Sequence, residues 1–251
     1  LSQRRTLIRK SSFIKSEVHA IEDKLKVYRQ KKTAPHVDEK VITAWNGLIL
    51  SALSKAARVW PSPELNKILR KNMDYILSQH QRFNGEMVRR SLHGIVAERA
   101  ILDDYAFLID ALIELYQTTF DEKYLLKAYE LQKIQDKLFY DTQAGNYNLS
   151  IETLEILQAY KSFEDQTRPT GQSMSYWNLL RLSYYFMDGN LKKKAHDLLE
   201  SYPDGLKQVP HVFSSLLIAL DFELANHKEL VISGKKKECF KALHEISQSF
   251  Y

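Results

Sequence analysis

Three short polar clusters contain residue types that can do acid/base chemistry or bind hydroxyl groups. The first is Pro35–Lys40, followed closely by Trp45-Asn46-Gly47. Asp38 and Glu39 can act as an acid/base pair there, with Trp45 as a stacking wall. In the alternative interpretation both acids only face the positive end of a helix, and Trp45 lies in the core.

The second cluster is Leu102-Asp103-Asp104-Tyr105. One aspartate is accounted for as a helix N-cap, which leaves the other to face a cleft. The alternative is that acids in a first helical turn stabilise the helix and need no chemistry.

The third cluster runs from Glu164-Asp165 to Arg168 and on through Pro169–Ser173. It places a carboxylate, a guanidinium and an amide in one loop that enters a helix. That combination is typical of a site for sugar hydroxyls or an anion. A capped helix start with an Arg–acid pair is the alternative interpretation.

All three clusters stand at or just before the starts of predicted amphipathic helices. Apolar residues recur at helical spacing through most of the chain. Ser62-Pro63, Asp121 and Asn190 are predicted to begin helices, and Asn84-Gly85 is predicted to make a tight hairpin turn. The predicted helices cover 18–28, 41–60, 63–77, 103–116, 121–138, 171–184, 212–224 and 236–249, and a further helix is predicted to begin at Asn190. We also predict a short strand at Glu229–Ile232 and an irregular strand or hairpin within Leu149–Tyr160.

The short loops between these helices indicate antiparallel neighbours, and therefore an all-α chain built from helical hairpins. Repeated hairpins form either an open α-solenoid or a closed α/α ring. The chain shows none of the fixed periods of the solenoid families. Its irregular hairpin lengths favour the closed ring.

Composition and charge exclude several classes of protein. The net charge is +5, but the basic runs resemble solvated helix faces and no nucleic-acid module accompanies them, so we expect no nucleic-acid partner. Cys239 has no second cysteine to pair with, and the eight histidines lack ligand spacing, so we predict neither metal nor cofactor. We find no apolar run of the ~20 residues that a membrane span requires, and no secretory signal. We therefore expect a cytoplasmic protein, excised from something longer because Leu1 is not an initiator Met.

In this order the clusters resemble the family of thioredoxin-domain-containing proteins related to spermatogenesis-associated protein 20, including the bacterial YyaL-type proteins. The resemblance extends over about residues 20–235. The matching residues are Pro35, Asp38, Glu39, Lys40, Trp45-Asn46-Gly47, Leu102–Phe107, Asp165, Pro169–Ser173, Asn178–Leu182 and Leu230–Ile232.

The resemblance implies an α/α toroid like those of N-acylglucosamine 2-epimerases and six-hairpin glycosidases, with minor β hairpins. The predicted helices are too few for six pairs. We therefore expect residues 1–251 to be a single helical domain, the C-terminal part of a toroid. An N-terminal thioredoxin-like domain and the first hairpins would be absent from it. That domain, or the missing half of the toroid, is an expected partner.

The functional hypothesis that follows is a carbohydrate-related protein, resembling a sugar epimerase or isomerase. Asp38, Asp104 and Asp165 are its candidate catalytic groups. The candidate substrate-binding residues are Glu39, Trp45, Asn46, Tyr105, Arg168 and Gln172. Glu39 and Gln172 stand where the family pattern has Asp and Asn, and a preorganised site tolerates such changes poorly. The alternative is therefore a non-catalytic module that binds a saccharide or protein and packs on a thioredoxin-like domain.

Overall fold

A computed structural model describes residues 2–151, 161–202, 205–225, 230 and 232–249 of the chain. It divides at a point where the sequence analysis places no boundary, into the units Leu1–Glu39 and Lys40–Tyr251. The N-terminal unit contains one long helix, α1 (Ser2–Gln30), and an irregular segment after it. The apolar side chains of α1 from Ile14 to Tyr28 are exposed.

Helices dominate the larger unit, with short strands between them. The helices are α2 (Thr43–Val59), α3 (Pro63–Gln79), α4 (Leu102–Thr119), α5 (Glu122–Phe139), α6 (Gly171–Phe186), α7 (Gly189–Glu200), α8 (Gly205–Gln208), α9 (Ser214–Leu224) and α10 (Lys236–Ser249). A 3-10 turn, Pro210–Phe213, precedes α9. The strands β1 (Val41–Ile42), β2 (Val88–Leu92) and β3 (Ile95–Arg99) form an antiparallel sheet in that order. A second small hairpin pairs β4 (Tyr140–Asp141) with β5 (Asn146–Tyr147).

Helices α2–α7 and α9 form two layers. In the inner layer α2, α4, α6 and α9 pack side by side. Contacts between α2 and α4 advance together along both helices, from Ala44–Asp104 to Arg58–Glu114, so these two helices run parallel. The outer helices α3, α5 and α7 each return the chain antiparallel to the preceding inner helix. All four inner helices therefore begin at the same end of the unit, which we call the mouth.

Helix α4 lies at the centre of the core, because every residue from Leu102 to Leu115 is buried. Its neighbour α2 approaches it closely at Gly47. A Cβ at that position would lie only 2.7 Å from the backbone carbonyl carbon of Phe107. Glycine is therefore required for the observed spacing of these two inner helices.

Charged side chains are buried between the inner helices below the mouth. Arg181 of α6 pairs with both Asp110 and Glu114 of α4, and Arg58 of α2 pairs with Glu114. All four side chains are less than a tenth exposed. Two positive and two negative charges balance, and that balance lets ions persist in a core where an unpaired charge would be very costly.

Several local predictions are confirmed. The Ser62 hydroxyl accepts from the Leu65 amide to begin α3, Asp121 caps α5, and Gly85 adopts the left-handed conformation of a tight turn. The prediction that Asn190 caps the next helix is wrong. Asp188 is the cap, and its carboxylate accepts from the amides of residues 190 and 191.

Two further predictions fall largely outside the described residues. The strand predicted at Glu229–Ile232 has only Leu230 and Ile232 described, and neither lies in a strand. Within the predicted irregular segment Leu149–Tyr160, residues 152–160 lie outside the described part of the chain.

Candidate functional site

A cavity of about 380 Å³ opens at the mouth, between the beginnings of α4 and α6. Its wall consists of residues 101–103, the β5 region and the loop 162–171 that leads into α6. Two of the three polar clusters found in the sequence therefore meet at one cavity. Among the described residues, the charged side chains that line it are Arg89, Asp103, Glu164 and Arg168.

Asp103 and Arg168 form an ion pair in the cavity wall. The Arg168 Nη1 group donates to Asp103 Oδ2 over 2.6 Å, and the guanidinium lies over the Phe107 ring with 5.7 Å to its centroid. The Asp103 side chain is only 6% exposed, whereas that of Arg168 is 46% exposed. The guanidinium of the pair is therefore open to solvent, and the carboxylate is buried beneath it.

Gly171 makes room for this pair. A Cβ on that glycine would lie 2.6 Å from Asp103 Oδ1 and 2.8 Å from the Leu102 side chain. The first residue of α6 must therefore be a glycine for the two helix starts to approach this closely.

Asp104 joins the starts of two inner helices. Its Oδ1 accepts from the Ala44 amide of α2 over 3.0 Å, and its Oδ2 accepts from the Ile101 amide over 2.9 Å. Arg89 Nη1 also donates to Oδ2, over 3.4 Å. Burial raises the pKa of Asp104 to about 6, although the amide donors and Arg89 favour the charged form.

Asp165 joins the starts of the next two inner helices, α6 and α9, as Asp104 joins those of α2 and α4. Its Oδ1 accepts from the Thr170 amide at the start of α6, and its Oδ2 accepts from the Ser215 amide at the start of α9. The distances are 2.9 and 2.7 Å. Asp104 and Asp165 therefore hold the mouth together, and neither is among the described residues that line the cavity.

Tyr105 and Gln172 also bond to the protein itself. The Tyr105 hydroxyl accepts from the Met87 amide, its ring packs on Phe139, and burial raises its pKa to about 12. Gln172 accepts from the Tyr147 amide and donates to the Tyr147 carbonyl, so it fixes the β4–β5 hairpin to α6. Both side chains are buried outside the cavity wall.

The remaining predicted residues belong to the first cluster. Trp45 is 63% exposed in the first turn of α2, and Asn46 donates to the Ile42 carbonyl. Asp38 and Glu39 are exposed residues of the N-terminal unit. Their convergence with the other acids stays a prediction. Of the nine predicted site residues, Arg168 lines the cavity.

The structure adds Arg89, Asp103 and Glu164 to the site. Asp103 and Glu164 lie beside Asp104 and Asp165 in the same clusters, so the sequence locates the clusters but not which acid of each pair faces inward. For Asp103 and Asp104 the helical phase decides this, because adjacent residues point about 100° apart around a helix. Glu164 and Asp165 lie in an irregular loop, where the two amides at the starts of α6 and α9 hold Asp165. Arg89 lies on β2, a strand that the sequence analysis does not predict.

No family model matches the chain. Among curated proteins it is similar to human spermatogenesis-associated protein 20, with 29% identity over 247 residues. The alignment covers 91% of this chain and 31% of the human protein, so the chain spans about a third of the length of the relatives it matches.

Solved structures with the same arrangement of helices include three carbohydrate-active proteins. The cellobiose 2-epimerase of Spirochaeta thermophila matches with a TM-score of 0.60 and 10% identity, over 86% of this chain and 61% of that one. The GH76 α-mannanase of Bacteroides thetaiotaomicron matches with a TM-score of 0.59 and 14% identity, over 86% of this chain and 59% of that one. A D-mannose isomerase matches with a TM-score of 0.51 and 16% identity, over 66% of this chain and 43% of that one. The fold is an α/α toroid.

The toroid fold confirms the architecture predicted from the sequence. The thioredoxin-like domain implied by the family resemblance and the cytoplasmic location expected from the composition both stay predictions. In the described part of the chain, no helix has both the length and the hydropathy to cross a bilayer. Nor do the described residues include a group of three or more His, Cys, Asp or Glu that could hold a metal ion.

Proposed function

We propose that the chain forms the sugar-binding part of a carbohydrate-active toroid that epimerises or isomerises a reducing sugar. The observation that carries the proposal is the cavity at the mouth, where a carboxylate–guanidinium pair and the exposed carboxylate of Glu164 meet. A cavity of about 380 Å³ has room for a monosaccharide. Sugar-acting proteins among the fold neighbours add to this support.

In this proposal the Asp103–Arg168 pair binds and orients the sugar. The guanidinium donates hydrogen bonds to hydroxyl or carbonyl oxygens, while the buried Asp103 carboxylate holds the guanidinium in place. Phe107 and Asp103 hold the Arg168 side chain from two sides, so little side-chain freedom is lost when a ligand binds. A preorganised donor of this kind can also stabilise the negative charge that develops on a sugar carbonyl oxygen.

Glu164 is the group that we propose for proton transfer. Epimerisation and isomerisation both begin when a base removes the proton at C2, next to the carbonyl of the open-chain sugar. Return of that proton to C2 or to C1 then decides the product. Glu164 is exposed and lines the cavity, whereas Asp104 and Asp165 are engaged by backbone amides on both oxygens. Those two aspartates position the mouth in this proposal.

Deuterium exchange tests the proposed reaction. Reducing sugars incubated with the chain in heavy water should take up deuterium at C2, seen by proton NMR as loss of the C2 signal. We expect E164Q to abolish the exchange, because an amide cannot accept the proton. The matched control is E130Q, which changes an exposed glutamate on the outer helix α5. Exchange at the wild-type rate in E164Q, or none with any sugar in the wild type, would contradict the proposal.

A further inference from the structure

The two arginines of the cavity are held in matching ways by consecutive aspartates. Asp103 binds Arg168, and Asp104 binds Arg89. The two aspartate side chains are 6% and 0% exposed, while the two arginine side chains are 46% and 37% exposed. The two carboxylates are therefore buried, and the two guanidinium groups are the parts of these pairs that are open to solvent.

Both guanidinium groups retain donors for a ligand. A guanidinium carries five N–H donors. Among the described residues, the hydrogen bonds of Arg168 use Nη1, toward Asp103 and the Pro169 carbonyl. Arg89 likewise uses Nη1 toward Asp104, and its Nε lies 4.0 Å from Glu98 Oε2. Planar guanidinium groups with spare donors are suited to bind a carboxylate or a phosphate through two bonds at once.

The backbone around the cavity also carries partial positive charge. The cavity wall includes the first residues of α4 and α6, two helices of 18 and 16 residues. Their N-terminal ends carry partial positive charge. Glu164 is the exposed carboxylate among the described lining residues, and it shares the cavity wall with two guanidinium groups and two helix ends.

We infer that the ligand of this cavity is an acidic sugar, whose carboxylate or phosphate group binds between Arg89 and Arg168. This inference rests on the proposed function for the sugar part of the ligand. The acidic group would anchor one end of the sugar and leave the carbonyl end for Glu164. Neutral sugars would lack that anchor and bind more weakly.

Calorimetric titration of the whole chain tests the inference, with D-glucuronate, D-glucose 6-phosphate, D-glucose and inorganic phosphate as ligands. We expect at least one acidic sugar to bind about ten-fold or more tightly than D-glucose, as the loss of charged hydrogen bonds predicts. Raising the salt concentration from about 0.05 to about 0.5 M should reduce that preference, because the site is open to solvent.

The variants R168Q and R89Q should each remove most of the preference, and R168K should restore only part of it because lysine lacks the planar fork. The control is R99Q, on an arginine that is half exposed on β3 and paired with Glu86 over 3.2 Å. It should leave the preference unchanged. Thermal unfolding of each variant shows whether a loss of binding comes from a loss of folding.

The possible results separate the inference from the proposed function. Equal affinity for D-glucose and the acidic sugars would overturn the inference and leave the proposed function standing, as would an R99Q variant that loses as much preference as R168Q. Binding of inorganic phosphate that depends on both arginines, with no gain from the sugar part, would support the anion site and contradict the carbohydrate function. No binding of any anion would overturn the inference as well.

Discussion

Asp104 is a carboxylic acid whose burial disfavours its ionised form. It is fully buried, with Arg89 as its charged partner at 3.4 Å. Desolvation therefore outweighs the hydrogen bonds that it accepts, and its pKa rises from 3.8 to about 6. The folded protein consequently binds this proton more tightly than the unfolded chain does.

This shift predicts how stability changes with pH. A group whose pKa is raised on folding contributes most below its unfolded pKa, so the contribution of Asp104 is lost as pH rises from about 4 to about 6. Relative to D104N, the wild type should lose on the order of 3 kcal/mol of unfolding free energy across that range. Urea unfolding at several pH values measures the difference. Burial also lowers the pKa of His80, but both proteins contain His80, so its contribution cancels in the difference between their unfolding free energies. A constant difference between the two proteins would contradict the prediction.

For individual residues, the sequence predicts which clusters lie at the candidate site better than it predicts the role of each side chain. The clusters around Asp104 and Asp165 do meet at the mouth, but both aspartates bind backbone amides of helices distant in sequence. The buried pairs of Arg181 and Arg58 are likewise long-range. Their partners become known only once helices α2, α4 and α6 are placed side by side. Local spacing carries no information about that register.

Single elements were largely predictable where local chemistry decides them. Caps such as Ser62 and Asp121 follow from side chains next to the helix start. The β2–β3 hairpin is not predictable in this way, because its two-residue turn is His93-Gly94, with both residues at positive φ. Such turns usually carry Asn or Asp before the glycine, and histidine gives no comparable signal.

Packing of the inner helices leads to a prediction at the level of elements. Gly47→Ala should destabilise the protein by about 1–3 kcal/mol, because the added methyl group meets the α4 backbone and forces overpacking. Gly189→Ala is the control, since a Cβ there meets nothing within 4 Å. Alanine should be neutral or stabilising at that position, by up to about 1 kcal/mol, since it favours helix. Equal thermal midpoints for the two variants would contradict the prediction, because they would show that the α2–α4 contact accommodates a methyl group at residue 47.

On the scale of the whole molecule, one side of α2 exposes large apolar side chains. Trp45, Ile49 and Val59 are 63%, 57% and 42% exposed along this inner-layer helix. The toroids compared above extend well beyond the part that this chain matches. We propose that a further helical hairpin of a toroid covers this face, in keeping with the predicted missing half.

An uncovered apolar face should make the isolated chain self-associate. Ile49→Asp should reduce that association without lowering the thermal midpoint, because the side chain is exposed. Leu126→Asp on the outer helix α5, where the side chain is 56% exposed, is the matched control and should change little. Sedimentation velocity over a range of concentrations measures the effect. A wild-type chain that stays monomeric throughout would contradict the prediction.

The two ends of the inner helices are connected very differently. Away from the mouth, Phe120-Asp121 and Met187-Asp188 each turn the chain directly into the next helix, and Phe120 and Met187 adopt left-handed backbone conformations. At the mouth, the connections 80–101 and 140–170 are long. Insertions and substitutions in these long connections can reshape the cavity without altering a helix contact. A scaffold of this kind can acquire new substrates during evolution by replacing its mouth loops alone.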